Sequence, residues 1–212
     1  MKSLVVKVLV LASCFATAAV AQEASQPGMK PESMAMPTAG PESKALAKFF
    51  GQNLTWTGTC AAGAMGPDSK EMSTKGKAVA HPILGGLWYV CDVEDVYGSG
   101  KEAMTWKGHQ VVGYDFAAKA YRAVMTDNMG MLTTWNGTLD GETFALETPE
   151  PVMMGGQMVK SRLTFAHNAD GTISFKDEHQ AAGGEWQLAE SAMARPSGGK
   201  AKGEHMATSE KK

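Results

Sequence analysis

The chain has 212 residues, 43% of them apolar and 20% charged, with a formal net charge of -2. Lys and Arg are scattered among the acids, so there is no basic surface for nucleic acid and that class of partner is excluded. After residue 21 no apolar run approaches the roughly 20 residues a membrane-spanning helix requires, so no transmembrane segment is expected in the mature chain.

Residues 1–21 have the three parts of a secretory signal peptide: Lys2 and Lys7, an apolar stretch from Val8 to Val20, and small residues at Ala19-Val20-Ala21. Cleavage before Gln22 and a periplasmic or secreted location are expected. A lipoprotein box at Leu11-Ala12-Ser13-Cys14 is the rival reading, which would anchor the chain through Cys14. It leaves only Val8 to Leu11 as apolar segment after Lys7, short of the roughly 7–15 residues such a segment needs. Residues 22–42, rich in Pro, Ser, Ala, Met and Gly without periodicity, read as a disordered linker.

The folded domain is expected over residues 43–196. It opens with one short amphipathic helix, because Leu46, Phe49 and Phe50 recur three or four apart before Gly51 ends the run. Apolar and polar residues then alternate at period two, the pattern of half-buried strands. Leu54, Trp56, Gly58 and Cys60 alternate with threonines, and Leu87, Tyr89, Cys91 and Val93 with a set holding Asp92 and Glu94. Met104 and Trp106 follow, then Tyr121, Met125 and Met129, Trp135 and Leu139, Phe144 and Leu146, Leu163 and Phe165, Ile173 and Phe175, and Trp186 and Leu188. Turn signals such as "LDGE" and "NADG" separate them. Residues 197–212 read as a disordered tail.

Roughly nine or ten strands without long helices, joined as sequential hairpins, predict an all-β fold, an antiparallel up-and-down barrel of lipocalin or calycin type. In "GHQVVGYDFAAKAY" Gly113 relieves a crowded strand, Tyr114 follows it, and Asp115 bonds the backbone of its own turn. An acid and base role for Tyr114 and Asp115 is the functional alternative, and the structural turn is favoured.

The stretches "ILGGLWYV", "GHQVVGYDFAAKAY", "MTDNMG" and "NGTLDGETFAL" resemble the bacterial family catalogued as domain of unknown function 1579, over about Phe49 to Pro196. The resemblance implies a lipocalin-like barrel with a central cavity, and it brings no catalytic residue. The cysteine pair and the 15 methionines are not features the resemblance carries.

With Cys14 removed, Cys60 and Cys91 remain in an oxidising compartment on one strand face, and a disulfide is expected. A dithiol metal site lacks CxxC spacing or an adjacent His. The run Asp92, Glu94, Asp95 lacks calcium-loop spacing and reads as a solvated outer face. Haem would need an inward histidine: His81, His109 and His167 face outward or lie in turns, and only His179 shares parity with Ile173 and Phe175. Copper would need denser sulfur than Met34, Met36 and Met206 supply. No cofactor or metal is therefore expected, and no nucleophile elbow, phosphate loop or zinc-protease motif marks an enzyme. The leading expectation is a binding barrel holding a small apolar or amphipathic ligand among Trp56, Tyr89, Met104, Trp106, Tyr121, Met125 and Trp135. The alternative is a packed structural or interaction barrel that uses these residues as core.

Overall fold

The computed structural model describes residues 37–154 and 156–198. Two short helices, α1 (Pro41–Ala45) and α2 (Ala47–Phe50), precede eleven strands: β1 (Leu54–Cys60), β2 (Met72–Ile83), β3 (Trp88–Tyr97), β4 (Met104–Asp115), β5 (Ala120–Asp127), β6 (Leu132–Asp140), β7 (Thr143–Glu147), β8 (Val152–Met154), β9 (Gln157–His167), β10 (Ile173–Ala181) and β11 (Gln187–Pro196). Each strand pairs antiparallel with its neighbour, and β11 returns to β1, so ten strands close a barrel. The short β8 adds to β9 beyond the reach of β7. Closure leaves no long edge with unpaired backbone groups. The expected all-β barrel is the fold found.

Period-two alternation sets the interior. Leu54, Trp56 and Cys60 turn inward from β1, and Tyr89, Cys91 and Val93 from β3. Trp135 comes from β6, Phe144 and Leu146 from β7, and Ile173 from β10. The helix step places Leu46, Phe49 and Phe50 together, and these three enter one end of the barrel and are buried. Phe49 packs tilted and Phe50 edge-on against Phe144 at 5.8 and 5.6 Å between centroids, and Phe165 and Tyr121 complete the cluster. The Lys48 ammonium bonds the Gly141 carbonyl and pairs with Glu142 in the β6–β7 turn, fixing the plug from outside. This is the closed end. The β1–β2, β3–β4, β5–β6, β8–β9 and β10–β11 connections ring the opposite, open end.

The β4–β5 turn forms as its residues dictate. The Asp115 carboxylate accepts from the backbone N–H groups of Ala117 and Ala118, and Trp88 lies over Gly113, where a Cβ would sit 2.3 Å from the indole. Tyr114 makes edge contacts with Phe116 and Tyr121.

Three expectations are corrected. The cysteines do share the interior, but both are free thiols. Cys60 pairs with Met72 and Cys91 with Ala80, so eight residues of β2, on the order of 25 Å of strand, separate them. A disulfide spans Cα atoms no more than about 7 Å apart. Parity placed them on one face but said nothing of their height along it.

Asp95 is not on a solvated face. It shares the inward parity of Tyr89, Cys91 and Val93 and is 5% exposed, while Asp92 and Glu94 do face outward, where they pair with His109, Lys77 and Lys107.

Trp186 and Leu188 do not line the interior. The β10–β11 register shifts between Asp177 and Glu178, leaving Ala189 as an extra residue, a β-bulge that reverses inward and outward positions. Leu188 is therefore exposed, Glu190 is buried, and Trp186 precedes the strand with the Arg162 guanidinium 4.2 Å from its ring.

Candidate functional site at the open end

The residues named as cavity lining divide along the barrel axis. Tyr89 and Trp135 are fully buried in the packed core, and Trp56, Tyr121 and Met125 are half-buried against it. Trp106 is half-buried, with its indole N–H donating to Asp127 at 3.2 Å. Met104 lies at the open rim, 38% exposed, and Met129 in the β5–β6 turn is more exposed still. The structure therefore does not bring all seven together around one space.

Toward the open end the interior changes character. Thr74, Asp95, Gln110, Thr133, Thr148, Ser161 and Glu190 are all buried there. Burying so many polar groups is tolerable only where they bond one another. Glu190 accepts from the Thr74 hydroxyl and the Tyr97 phenol, both at 3.0 Å. Asp95 accepts from the Trp56 indole at 3.1 Å and from the Val96 backbone at 2.9 Å. The row Trp56, Gly76, Asp95 explains the reach. Gly76 stands between the other two in register, and a Cβ there would sit 2.3 Å from the indole. Without a side chain on β2 the Trp56 ring crosses it to the carboxylate on β3.

This layer is acidic and buried, and its titration follows. Burial, with the Asp95 charge next, holds the Glu190 carboxyl up at about 8, so it is protonated at neutral pH. Burial also raises Asp95, against the pull of its hydrogen bonds from the Trp56 indole and the Val96 backbone. The Cys60 thiol, in register with Glu190, is pushed up to about 11 by burial and then by Glu190, so it is no nucleophile at neutral pH. The Tyr97 phenol is raised by burial and the neighbouring carboxyls.

Beside this layer lies a smaller constellation. Asp177 of β10, in register with Glu190, accepts from the Ser161 hydroxyl at 3.1 Å and holds the His179 Nε2 at 3.2 Å. Burial alone would lower His179, but the hydrogen bond and charge of Asp177 outweigh it and the net shift is upward. Ser161 and His179 face each other in register across β9 and β10, but each bonds the Asp177 carboxylate and no hydrogen bond joins the imidazole to the hydroxyl it would have to activate. The arrangement orients His179 and builds no nucleophile.

His179 lines a pocket of about 250 Å³ at the open end, between the β1–β2 loop, the β8–β9 hairpin and the β10–β11 turn. Its wall includes Gly63, Met154, Gln157, Gln187, Leu188 and Ala189. Among the described residues no group of three or more His, Cys, Asp or Glu is placed to hold a metal ion, and no helix is long and apolar enough to cross a membrane. The signal and lipoprotein-box expectations, the linker as far as residue 36 and most of the tail, with Met34, Met36 and Met206, fall outside the described residues, whereas Pro41 and Glu42, expected in the disordered linker, begin α1.

Asp95 and Asp177 carried a legible signal, since each shares parity with apolar neighbours known to turn inward. Glu190 shares the parity of Trp186 and Leu188, so counting from them points it inward, but the bulge that turns Leu188 outward is invisible in period-two counting. The Trp–Gly–Asp row depends on pairing between three strands and is equally hidden.

None of the curated proteins matches this sequence. The family described as "Protein of unknown function (DUF1579)" matches over residues 38–195, taking in α1 and the start of α2, which the resemblance from Phe49 onward left out. The chain belongs to that family, whose matched region is the plugged ten-strand barrel with its acidic open end.

Proposed function

We propose that this barrel is a binding module that takes a small amphipathic molecule through its open end, with the polar group of the ligand seated against His179. The observation that carries this reading is the pocket of about 250 Å³ into whose wall the Asp177-oriented imidazole is built. Ligand pockets typically run from about 300 to 1,000 Å³, so the pocket suits a small molecule or the head of a larger one. The exposed Leu188 and the half-buried Met154 supply apolar contact beside the polar wall. The N-terminal signal pattern supports a periplasmic or secreted setting for this activity. N-terminal sequencing of the exported protein should begin at Gln22.

A second reading, a packed barrel that works through its outer surface, is favoured by the closed half, where Phe144, Leu146 and Trp135 leave 2% of their surface or less exposed. One titration separates the two. An environment-sensitive short-chain fluorescent amphiphile should bind saturably and lose roughly tenfold in affinity in His179→Ala, a loss of about 1.4 kcal/mol. Lys48→Ala at the closed end should leave binding unchanged. No saturation, or equal affinity in His179→Ala, favours the packed barrel.

A further inference from the structure

We propose that the open end is a docking surface for a basic, apolar-faced peptide segment of a partner protein. Among the described residues eleven large apolar side chains are exposed, and seven of them stand on this end, where a scattered distribution would need no explanation. Met65 lies on the β1–β2 loop, Met104 starts β4, and Met129 and Leu132 flank the β5–β6 turn. The β8–β9 hairpin adds Met153 and Met158, which face each other in register, and β11 adds Leu188. The closed end exposes only Leu84 and Phe116. These positions adjoin one another. Ala64 and Pro67, on either side of Met65, share the open-end pocket with Leu188 and the β8–β9 hairpin. Across the mouth, the Asn128 side chain bonds the Thr105 and Lys107 backbone and holds the Met129 turn against the start of β4. Flexible thioethers suit a surface that must mould itself to a partner.

Charge selects the occupant. The connections at this end carry five acids, Asp68, Glu71, Glu102, Glu150 and Glu185, against two lysines, Lys70 and Lys101, a net of -3. All five acids are exposed, and none is in an ion pair among the described residues. At the closed end the connections and helices balance, with Lys44, Lys48 and Lys119 against Glu42, Glu142 and Asp170. An apolar surface rimmed by unpaired carboxylates is complementary to a segment with one apolar and one basic face. A second copy would bring the same -3 to the contact, and an anionic lipid surface would be repelled. Residues 199–212 of this chain are basic, but their one large apolar side chain is Met206, too little to cover seven. This docking reading stands whether or not the His179 pocket holds a small molecule.

The test uses the full chain and a fluorescently tagged Leu/Lys peptide with its leucines three and four residues apart, a generic basic amphipathic segment. Anisotropy should show saturable binding that weakens roughly tenfold between about 0.1 M and about 1 M salt, as the Debye length falls from about 10 to about 3 Å. Met129→Ser with Leu132→Ser, and separately Glu150→Lys with Glu185→Lys, should each weaken binding roughly tenfold. These positions are exposed, so the unfolding midpoint should not move. Leu84→Ser at the closed end and Val79→Ser on the wall should bind as the wild type does. Absence of saturation, equal binding of a Leu/Glu peptide, or wild-type affinity in both open-end variants overturns the proposal. A roughly tenfold gain on deleting residues 199–212 gives the surface to the chain's own tail. Dimers abolished by Met129→Ser with Leu132→Ser give it to a second copy, and phosphatidylcholine vesicle binding abolished by that pair gives it to lipid. Each of these three results also overturns the proposal.

Discussion

The two ends of the barrel interior solve one problem in opposite ways. At the closed end the space between the strands is filled by aromatic rings, with Phe49 and Phe50 entering from α2 to meet Phe144 and Phe165. That contact is non-directional and gains with buried area. At the open end the same wall encloses acids, hydroxyls and an imidazole, which are stable only while each finds its partner. The proposed binding site and the pH sensitivity both lie where the interior is specified by hydrogen bonds. The aromatic end supplies the rigidity that holds that specification in place.

The comparison is broken most severely from the aromatic side. Phe144→Ala removes a ring touched by Phe49, Phe50, Tyr121 and Phe165 and should destabilise the fold by about 3–5 kcal/mol, read from the shift in denaturant midpoint. A loss under about 1 kcal/mol would mean the plug is not packed as described.

The polar end should respond to pH in its place. Glu190 has its folded value raised to about 8, so its stabilisation is complete below the ordinary carboxyl value and is lost as pH rises through 8. His179, also raised, adds to the same alkaline loss. Unfolding free energy should fall between pH 5 and pH 9 by roughly 3 kcal/mol, and Glu190→Gln should flatten the curve. Stability that instead rises across that range would contradict a protonated Glu190.

Gly76→Ala tests the row that joins the two chemistries. The new methyl would collide with the Trp56 indole, displace it from Asp95 and cost about 1–3 kcal/mol. Indole N–H exchange at Trp56 should quicken as well. Asp115→Ala, which strips the β4–β5 turn of its two backbone bonds, should cost about 1 kcal/mol and leave the open end untouched. The smallest expected effect is none: reductant should not move the unfolding midpoint, since Cys60 and Cys91 are already free.

Much of the barrel was legible because inside and outside alternate with the strand. Trp135, Phe144, Leu146 and Ile173 were assigned inward from sequence and are buried. The helix at Leu46, Phe49 and Phe50 was equally plain, though not the role of its rings as a plug. The candidate site was less legible, and for a reason that can be located. Asp95 shared its strand's inward parity, but its acidic neighbours suggested a solvated face. A single extra residue in β11 puts Leu188 and Glu190 on opposite faces although their parity agrees, and the seven aromatic and methionine positions agreed in parity while lying at different heights.

By itself the sequence determined the fold class, the closed interior and the inward side of most strands, because the side-chain period of a strand is a local property of the backbone. Only the tertiary structure decided which inward residues meet. Register, bulge and closure set the heights that keep Cys60 from Cys91 and bring Glu190 to Asp95, and those arise from pairing between segments distant along the chain.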